Sequence, residues 1–583
     1  MKHCMVVAMM IGLLASWSLA QEAAKPAPLG ELNLKYKMVF TFTNLANEAT
    51  VQKTTKLMKD AKKAGYNGIF ISDTKIAKFG LQGKTYTDNL EKFRKACTDE
   101  GMQLMIGTCP MGYANDFLAA DPNLAEGHPV RNAVFLVKEG KLVPVDDTIK
   151  LVNGSLEEWN GNTPVGWTVD QPDTMSFKDD QITSNGKPSL RQDHSAVGKN
   201  PARMWQKIKV QPWHYYHLTA MVKTENCTSK DFRLFALGGD AIGGLVLTWQ
   251  PPDIKETMDW TRVDVTFNSL EYSEVSIYAG SYSPKAGKIW WGDVKIEPAG
   301  FVNIIRRDDL PLTITSEDGK TTYNEGKDFS AVKDPKLGND PNPGYFTDWH
   351  DVPAVTIPAG SQIKDGQRVL ASYHHSLAVG KRAQMNCCFS EPKVYDLIEK
   401  QIAWVKQYGK PDIYMMSHDE IRDGGWDDSC SRRKLTTGQI LADNVAKCSA
   451  IIQKADPGKP IMTWNDMFDP FHNAKKEGRM YLAKGEGPWY GSWEGLPASV
   501  IVLNWHNNKE DSLKFFSDRG NPQVLAGYYD QDPKRIVAWL EMASKVKGVQ
   551  GVMYTTWKND YSKIDQFMTH VKEFEASQGK KGN

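Results

Sequence analysis

The sequence has no CxxC pair, only 8 cysteines in 583 residues, no excess of either charge and no apolar run long enough for a membrane span. Each absence excludes a class. Sparse cysteines without paired spacing are not a disulfide scaffold, and the adjacent Cys387 and Cys388 are poorly placed to bridge each other. One or two disulfides among the remaining cysteines stay open. Lys and Arg number 71 against 70 Asp and Glu. A phosphate-backbone binder needs a basic surface, so no nucleic-acid partner is expected. The single apolar run, residues 5–14, is too short to cross a bilayer. It follows Lys2 and His3 and precedes the small-x-small sequence Ser18-Leu-Ala20, the layout of a secretory leader cleaved after Ala20. Cys4 precedes the run, which argues against a lipoprotein. The expected product is secreted or periplasmic, without a membrane span. About 560 residues remain after the leader, enough for two or three domains.

What the chain does have is a rhythm. Residues 36–43, 68–73 and 102–107 read as apolar strands, separated by amphipathic helices over 48–64 and 87–100. Strands and helices alternating at about 30-residue spacing indicate a parallel sheet. After residue 145 the pattern changes to short alternating runs between turns, the signature of an antiparallel β-sandwich. Residues 301–384 continue as a β-rich connector or small β-domain. From residue 385 the earlier rhythm returns, with strands at 413–416, 460–464, 499–503, 523–526 and 551–556. Three strands before the insertion and five after it make eight, the count of a closed (β/α)8 TIM barrel. The expected fold is therefore α/β. The first part of the barrel spans 21–145, the inserted sandwich 146–300 and the second part of the barrel 385–583.

The stretch PDIYMMSHDEIR, residues 411–422, organises the chemistry. A buried strand ends in His418, Asp419 and Glu420, two adjacent carboxylates at the strand end where barrel active sites form. Other strand ends add Asp73; Trp464, Asn465 and Asp466; Trp505 and His506; Tyr528, Tyr529 and Asp530; and Trp557 with Asn559. A single capping carboxylate at such a position means little. Five consecutive strand ends bearing carboxylates or Trp and Tyr describe a ring of aromatics around an acid pair. His418 reads as an orienting neighbour of Asp419. His374 and His375 lack a carboxylate spacing that would support a metal, so no metal and no cofactor is expected.

Two resemblances follow from these residues. The opening NGSLEEW with its later PVGW, and the closing WWGDVKIEP, resemble jelly-roll carbohydrate-binding modules found beside secreted glycosidases. Trp205, Trp213, Tyr215, Trp249, Trp290 and Trp291 are the candidates for a sugar platform, and several of them must be core. The order DE, W-N-D, W, Y-x-D and W-x-N along strands four to eight resembles family 20 glycoside hydrolases, the β-N-acetylhexosaminidases. That resemblance implies Glu420 as the general acid and Asp419 as the carboxylate that orients the substrate's 2-acetamido group. It implies Tyr528 as the hydroxyl on the acetamido carbonyl, with Asp530 beside it, and Trp464, Trp505 and Trp557 as walls. The acetamido oxygen is then the nucleophile, with retention of configuration, a departure from the two-carboxylate rule. A general acid working near neutral pH needs an elevated pKa, and an adjacent carboxylate and apolar walls push in that direction.

The chain also departs from that family. Met-Met-Ser-His replaces His-x-Gly-Gly before the acid pair, and Thr41-Phe-Thr-Asn44 carries no arginine after strand one. Cys109-Pro-Met-Gly112 lacks the family's histidine, and Asn559 stands where the family has glutamate. The expected partner is a glycan or polysaccharide. Two other readings compete: a two-carboxylate glycosidase using Glu420 with Asp466 or Asp530, and a non-catalytic glycan-binding surface protein.

Overall fold

A computed structural model describes residues 32–194, 201–228, 232–239, 244–248, 254–281, 286–379, 384–505 and 510–579. The leader, Trp249 and His506 lie outside the described residues.

Eight parallel strands close into a barrel: β1 (Tyr36–Phe42), β2 (Gly68–Ser72), β3 (Gln103–Thr108), β4 (Ile413–Met416), β5 (Ile461–Trp464), β6 (Ile501–Asn504), β7 (Gln523–Leu525) and β8 (Val549–Tyr554). Helices α1 (Glu48–Ala64) and α2 (Lys84–Asp99) follow β1 and β2, and α3 (Pro392–Trp404) leads into β4. The short α4 (Asp428–Arg432) and the long α5 (Thr437–Ala455) follow β4, and α6 (Glu510–Asp518), α7 (Arg535–Ala543) and α8 (Ile564–Gly579) follow β6, β7 and β8. The β5–β6 connection is different. Its helical turns are the short 3-10 segments Asp466–Phe468 and Ser492–Gly495.

Side-chain alternation sorts each barrel strand into two packed layers. Tyr36, Met38 and Phe40 of β1 join Phe70, Met105, Met415, Leu503, Val524 and Met553 inside the barrel. Val39, Ile69, Ile71, Val502 and Tyr554 face outward, into the larger core shared with the helices. Local signals fix the helix ends. Asn47 accepts the Thr50 N–H to begin α1, and Gly65 closes it at φ 107°. Thr436 and Gln439 form a reciprocal capping box at the start of α5.

Between β3 and α3 the chain builds antiparallel sheets. One five-stranded sheet contains Tyr215–Glu225 between Met258–Asn268 and Lys288–Pro298, and the other contains Glu274–Ser281 between Phe232–Gly238 and Ala202–Lys209. Leu218, Val265 and Trp291 of the first pack with Met204, Leu234 and Ile277 of the second in one core. The chain segment 128–144, which the sequence rhythm groups with the barrel, forms a further sheet with Arg368–His375 on the far side of the insertion. Register matters here: a chain that leaves through His128–Lys138 and returns through its antiparallel partner brings both ends of the insertion back to the same place. Among the described residues no helix is long and apolar enough to cross a membrane.

Candidate functional site

Strand parity decides which of the sequence-derived residues reach the barrel mouth. Met462 and Trp464 face inward on β5, which sets Asp466 on the same side two residues on. Leu503 is followed by Trp505, Ala526 by Tyr528 and Asp530, and Met553 by Trp557, all on inward parity. These side chains meet. Trp464, Trp505 and Trp557 form a triangle with ring centroids 6.1–6.2 Å apart, every pair edge to face. Tyr528 packs 5.9 Å from Trp505 and 5.6 Å from Trp557. Phe40 and Phe42 add two more rings beside Trp557.

The acids join this cluster through Asp466. Its Oδ1 accepts the Trp505 indole N–H at 3.2 Å. Its Oδ2 accepts the Glu420 backbone N–H at 2.8 Å and the Asn473 side-chain amide at 3.0 Å. On β4, Ile413 and Met415 face inward, and Asp419 keeps that parity. Glu420 on parity alone would turn away. It adopts the left-handed backbone, φ 49°, unusual for a residue with a side chain. Its Oε2 accepts a hydrogen bond from the Tyr113 hydroxyl and lies 3.0 Å from Arg422 Nη2. Both contacts fall on one edge of the carboxylate. Oε1 has no partner among the described residues.

Loop packing holds the acid pair in place. Gly112, in the loop after β3, lies so close to the Asp419 carbonyl that an added Cβ would stand 1.7 Å from its oxygen. Gln384, where the chain re-enters from the insertion, donates to the Gly112 carbonyl and, at 2.9 Å, to the Glu420 carbonyl, and accepts from Arg422. Sequence reasoning missed Tyr113, Gln384, Arg422 and Asn473. The signal for Arg422 and Tyr113 was adjacency, since each borders a motif already singled out. Gln384 and Asn473 carry none.

Two carboxyls of the cluster, Asp419 and Asp466, are driven upward. Burial, then the charges of Asp466 and Glu420, drive Asp419 up to about 8. Burial, with the Glu420 charge, outweighs the hydrogen bonds to Asp466 and drives it up to about 7. The Tyr113 hydroxyl is pushed up by burial and by both Asp419 and Glu420, and the Tyr528 hydroxyl by burial and by Glu420.

Other expected residues stand elsewhere. Asp73 is on outward parity to Phe70, and both of its oxygens are engaged: Oδ2 by the Leu45 N–H and the Tyr86 hydroxyl, Oδ1 by the Lys75 N–H. It is an architectural cap rather than part of the mouth. His418, also on outward parity, is fully buried against Asn444 of α5, 2.9 Å away, and burial lowers it to about 4. It supports α5 and cannot reach a ligand. Asn559 is exposed, with the Tyr561 hydroxyl 3.1 Å from its Oδ1. Asp530 accepts from Thr556 at 3.1 Å. Trp464 is only 4% exposed and forms the floor of the cluster, whereas Trp557, 40% exposed, presents an open face.

In the sandwich, Tyr215, Trp290 and Trp291 are buried core, and the last two donate to Asp179 and Gln192. Trp213 lies against Trp426 and under Arg131. Trp205 pairs in register with Tyr278, which pairs with Phe235, so three near-parallel rings lie across adjacent strands. All seven cysteines beyond the leader are buried and unbonded.

No family model matches the chain, and no curated protein matches it. Among solved structures, the chain is similar to a family 16 carbohydrate-binding module, at 19% identity and a TM-score of 0.19, over 25% of this chain and 96% of that one. It is similar to a CBM4 module at 16% identity and a TM-score of 0.21, over 26% of this chain and 99% of that one. A third similar structure is the CBM22-1 xylan-binding domain from Paenibacillus barcinonensis Xyn10C, at 15% identity and a TM-score of 0.19, over 25% and 91%.

Proposed function

We propose that the chain is an exported glycoside hydrolase that cleaves glycosidic bonds of 2-acetamido sugars in complex glycans, with retention, by substrate assistance. The observation that carries this reading is the bridge through Asp466, which joins the Trp505 indole to the Glu420 backbone and so makes the aromatic ring and the acid pair one cluster. Glu420 protonates the glycosidic oxygen through its unengaged Oε1, while Tyr113 and Arg422 hold Oε2. The acetamido oxygen attacks the anomeric carbon as the aglycone leaves, forming an oxazoline-type ring, and water opens that ring. Asp419 accepts the acetamido N–H, and Tyr528 donates to the acetamido carbonyl. Trp505 and Trp557 wall the sugar, and Phe42 beside Trp557 supplies an apolar surface where the resembled family has an arginine. The sandwich adds glycan affinity through Trp205, the partly exposed ring of its aromatic row.

A second reading has its own support. Asp419 and Asp466 are the carboxyls whose surroundings retain a proton near neutrality, and Glu420 is ion-paired with Arg422. That arrangement fits a two-carboxylate glycosidase with Asp466 as acid and Glu420 as the second carboxylate. A thiazoline that mimics the oxazoline intermediate separates the two. Tight competitive binding supports substrate assistance, and turnover with no inhibition supports the second reading. Glu420→Gln abolishes turnover on either. Glycan affinity kept by a wild-type protein that turns over no member of a glycan library overturns both.

A further inference from the structure

A second cluster of reactive groups lies outside the barrel mouth. Glu126, Cys388, Asp427 and Cys430 come from three separate stretches of chain, all are buried, and their ligand-capable atoms lie within 4.8 Å of one another. We propose that these four residues form a closed structural zinc site, which ties the loop after β4 to the two points where the chain leaves and rejoins the barrel.

Geometry supports it. A tetrahedral zinc with Zn–S of about 2.3 Å and Zn–O of about 2.1 Å sets two thiolates roughly 3.8 Å apart and a thiolate and carboxylate oxygen roughly 3.6 Å apart. Cys388 Sγ and Cys430 Sγ are 3.8 Å apart, and Cys430 Sγ is 4.0 Å from Glu126 Oε2. A disulfide would need the sulfurs at about 2.05 Å. The carboxylates are already oriented. Glu126 Oε1 accepts the N–H groups of Trp426 and Asp427, which turns Oε2 toward the thiols. Asp427 Oδ1 caps α4 at the Cys430 N–H, and Oδ2 accepts from Arg307 at 2.7 Å, which leaves lone pairs for an ion.

Charge points the same way. The four ligand groups share one buried spot with the Arg307 guanidinium, which pairs with Asp427 and also with Asp309 and Glu391. A zinc ion balances two thiolates. Arg307, anchored to the carbonyls of Asn123 and Ala125 and to Asp309, offsets the extra carboxylate from outside the ligand set. Two thiolates with carboxylates favour zinc over calcium or magnesium, which prefer all-oxygen shells. Arg307, Ser390, Glu391 and Ser429, neighbours of the ligands, also line a cavity of about 460 Å³. The motif is invisible in sequence, because the ligands sit at positions 126, 388, 427 and 430 and have no CxxC spacing.

The test uses the full-length protein, stripped with chelator and reloaded with zinc or, as a spectroscopic probe, cobalt(II). Expected is one metal per chain by elemental analysis and native mass, and a thiolate-to-cobalt absorption band in the near ultraviolet. Cys388→Ser and Cys430→Ser lose most of that band, and Cys227→Ser, in the sandwich, keeps it. Glu126→Gln preserves side-chain size, so it reads the site even if the cysteine variants do not fold; it releases zinc to a competing chelator sooner than wild type. Two results overturn the site: both thiols free with no metal retained after loading, or a mass two hydrogens short that maps to a Cys388–Cys430 disulfide. Unchanged metal retention in all three ligand variants also overturns it, by placing the ion elsewhere.

Discussion

Gly112→Ala puts the placement of the acid pair to a direct test. Gly112 has no need of a left-handed backbone, so the substitution acts through space alone. The new methyl would stand 1.7 Å from the Asp419 carbonyl oxygen and 2.9 Å from its carbon, and contacts under 3.0 Å are not found for real Cβ atoms. The peptide carrying Asp419 and Glu420 must therefore retreat by more than an ångström. Overpacking of this kind costs about 1–3 kcal/mol. Movement of Glu420 also stretches its backbone bond to the buried Asp466, a contact worth about 0.5–1.5 kcal/mol. We expect a loss of roughly 3 kcal/mol in the transition that unfolds the barrel, read by calorimetry because a chain of several packed units need not melt in one step. Displacing a reacting group by an ångström lowers turnover by about 100-fold. A Gly112→Ala protein that melts with wild type and turns over glycan at the wild-type rate would show that the β3 loop does not press on the acid pair.

Three further outcomes follow from the structure. Asp419 and Asp466 bind protons more tightly folded than unfolded, so the stability they contribute is complete below about pH 4 and is lost as pH rises through about 7 to 8; thermal melts should fall over that interval, and Asp419→Asn should flatten the fall. Over the same interval kcat/KM rises if Asp419 must be ionised to accept the acetamido N–H, and falls if Asp419 or Asp466 is the proton donor, so a flat profile contradicts both mechanisms. Asp73→Ala leaves two backbone N–H groups and the Tyr86 hydroxyl without their acceptor, which should destabilise by about 2–4 kcal/mol while KM for glycan stays unchanged; a raised KM with normal stability would return Asp73 to the mouth.

Much of the scaffold was legible because it is periodic. Apolar alternation located all eight barrel strands, and α1 was readable to the residue at 48–64. The same alternation, continued past each strand end, separates Asp466, Trp505, Tyr528 and Trp557 from Asp73 and His418, a distinction that a roll of polar strand ends does not make. Tyr113, Gln384 and Arg422 were not legible, since their meeting depends on three loops that share no spacing rule.

The amino-acid sequence by itself determined the rhythm, the inward face of every strand and therefore the aromatic ring at the mouth, because these depend on neighbours two or four residues away. The tertiary structure alone decided which carboxyls keep their protons, which edge of Glu420 is held, and that Glu126 meets Cys388 and Cys430 across some 300 residues. Desolvation and charge pairing are set by whatever the folded chain brings within a few ångströms, and no local pattern encodes that.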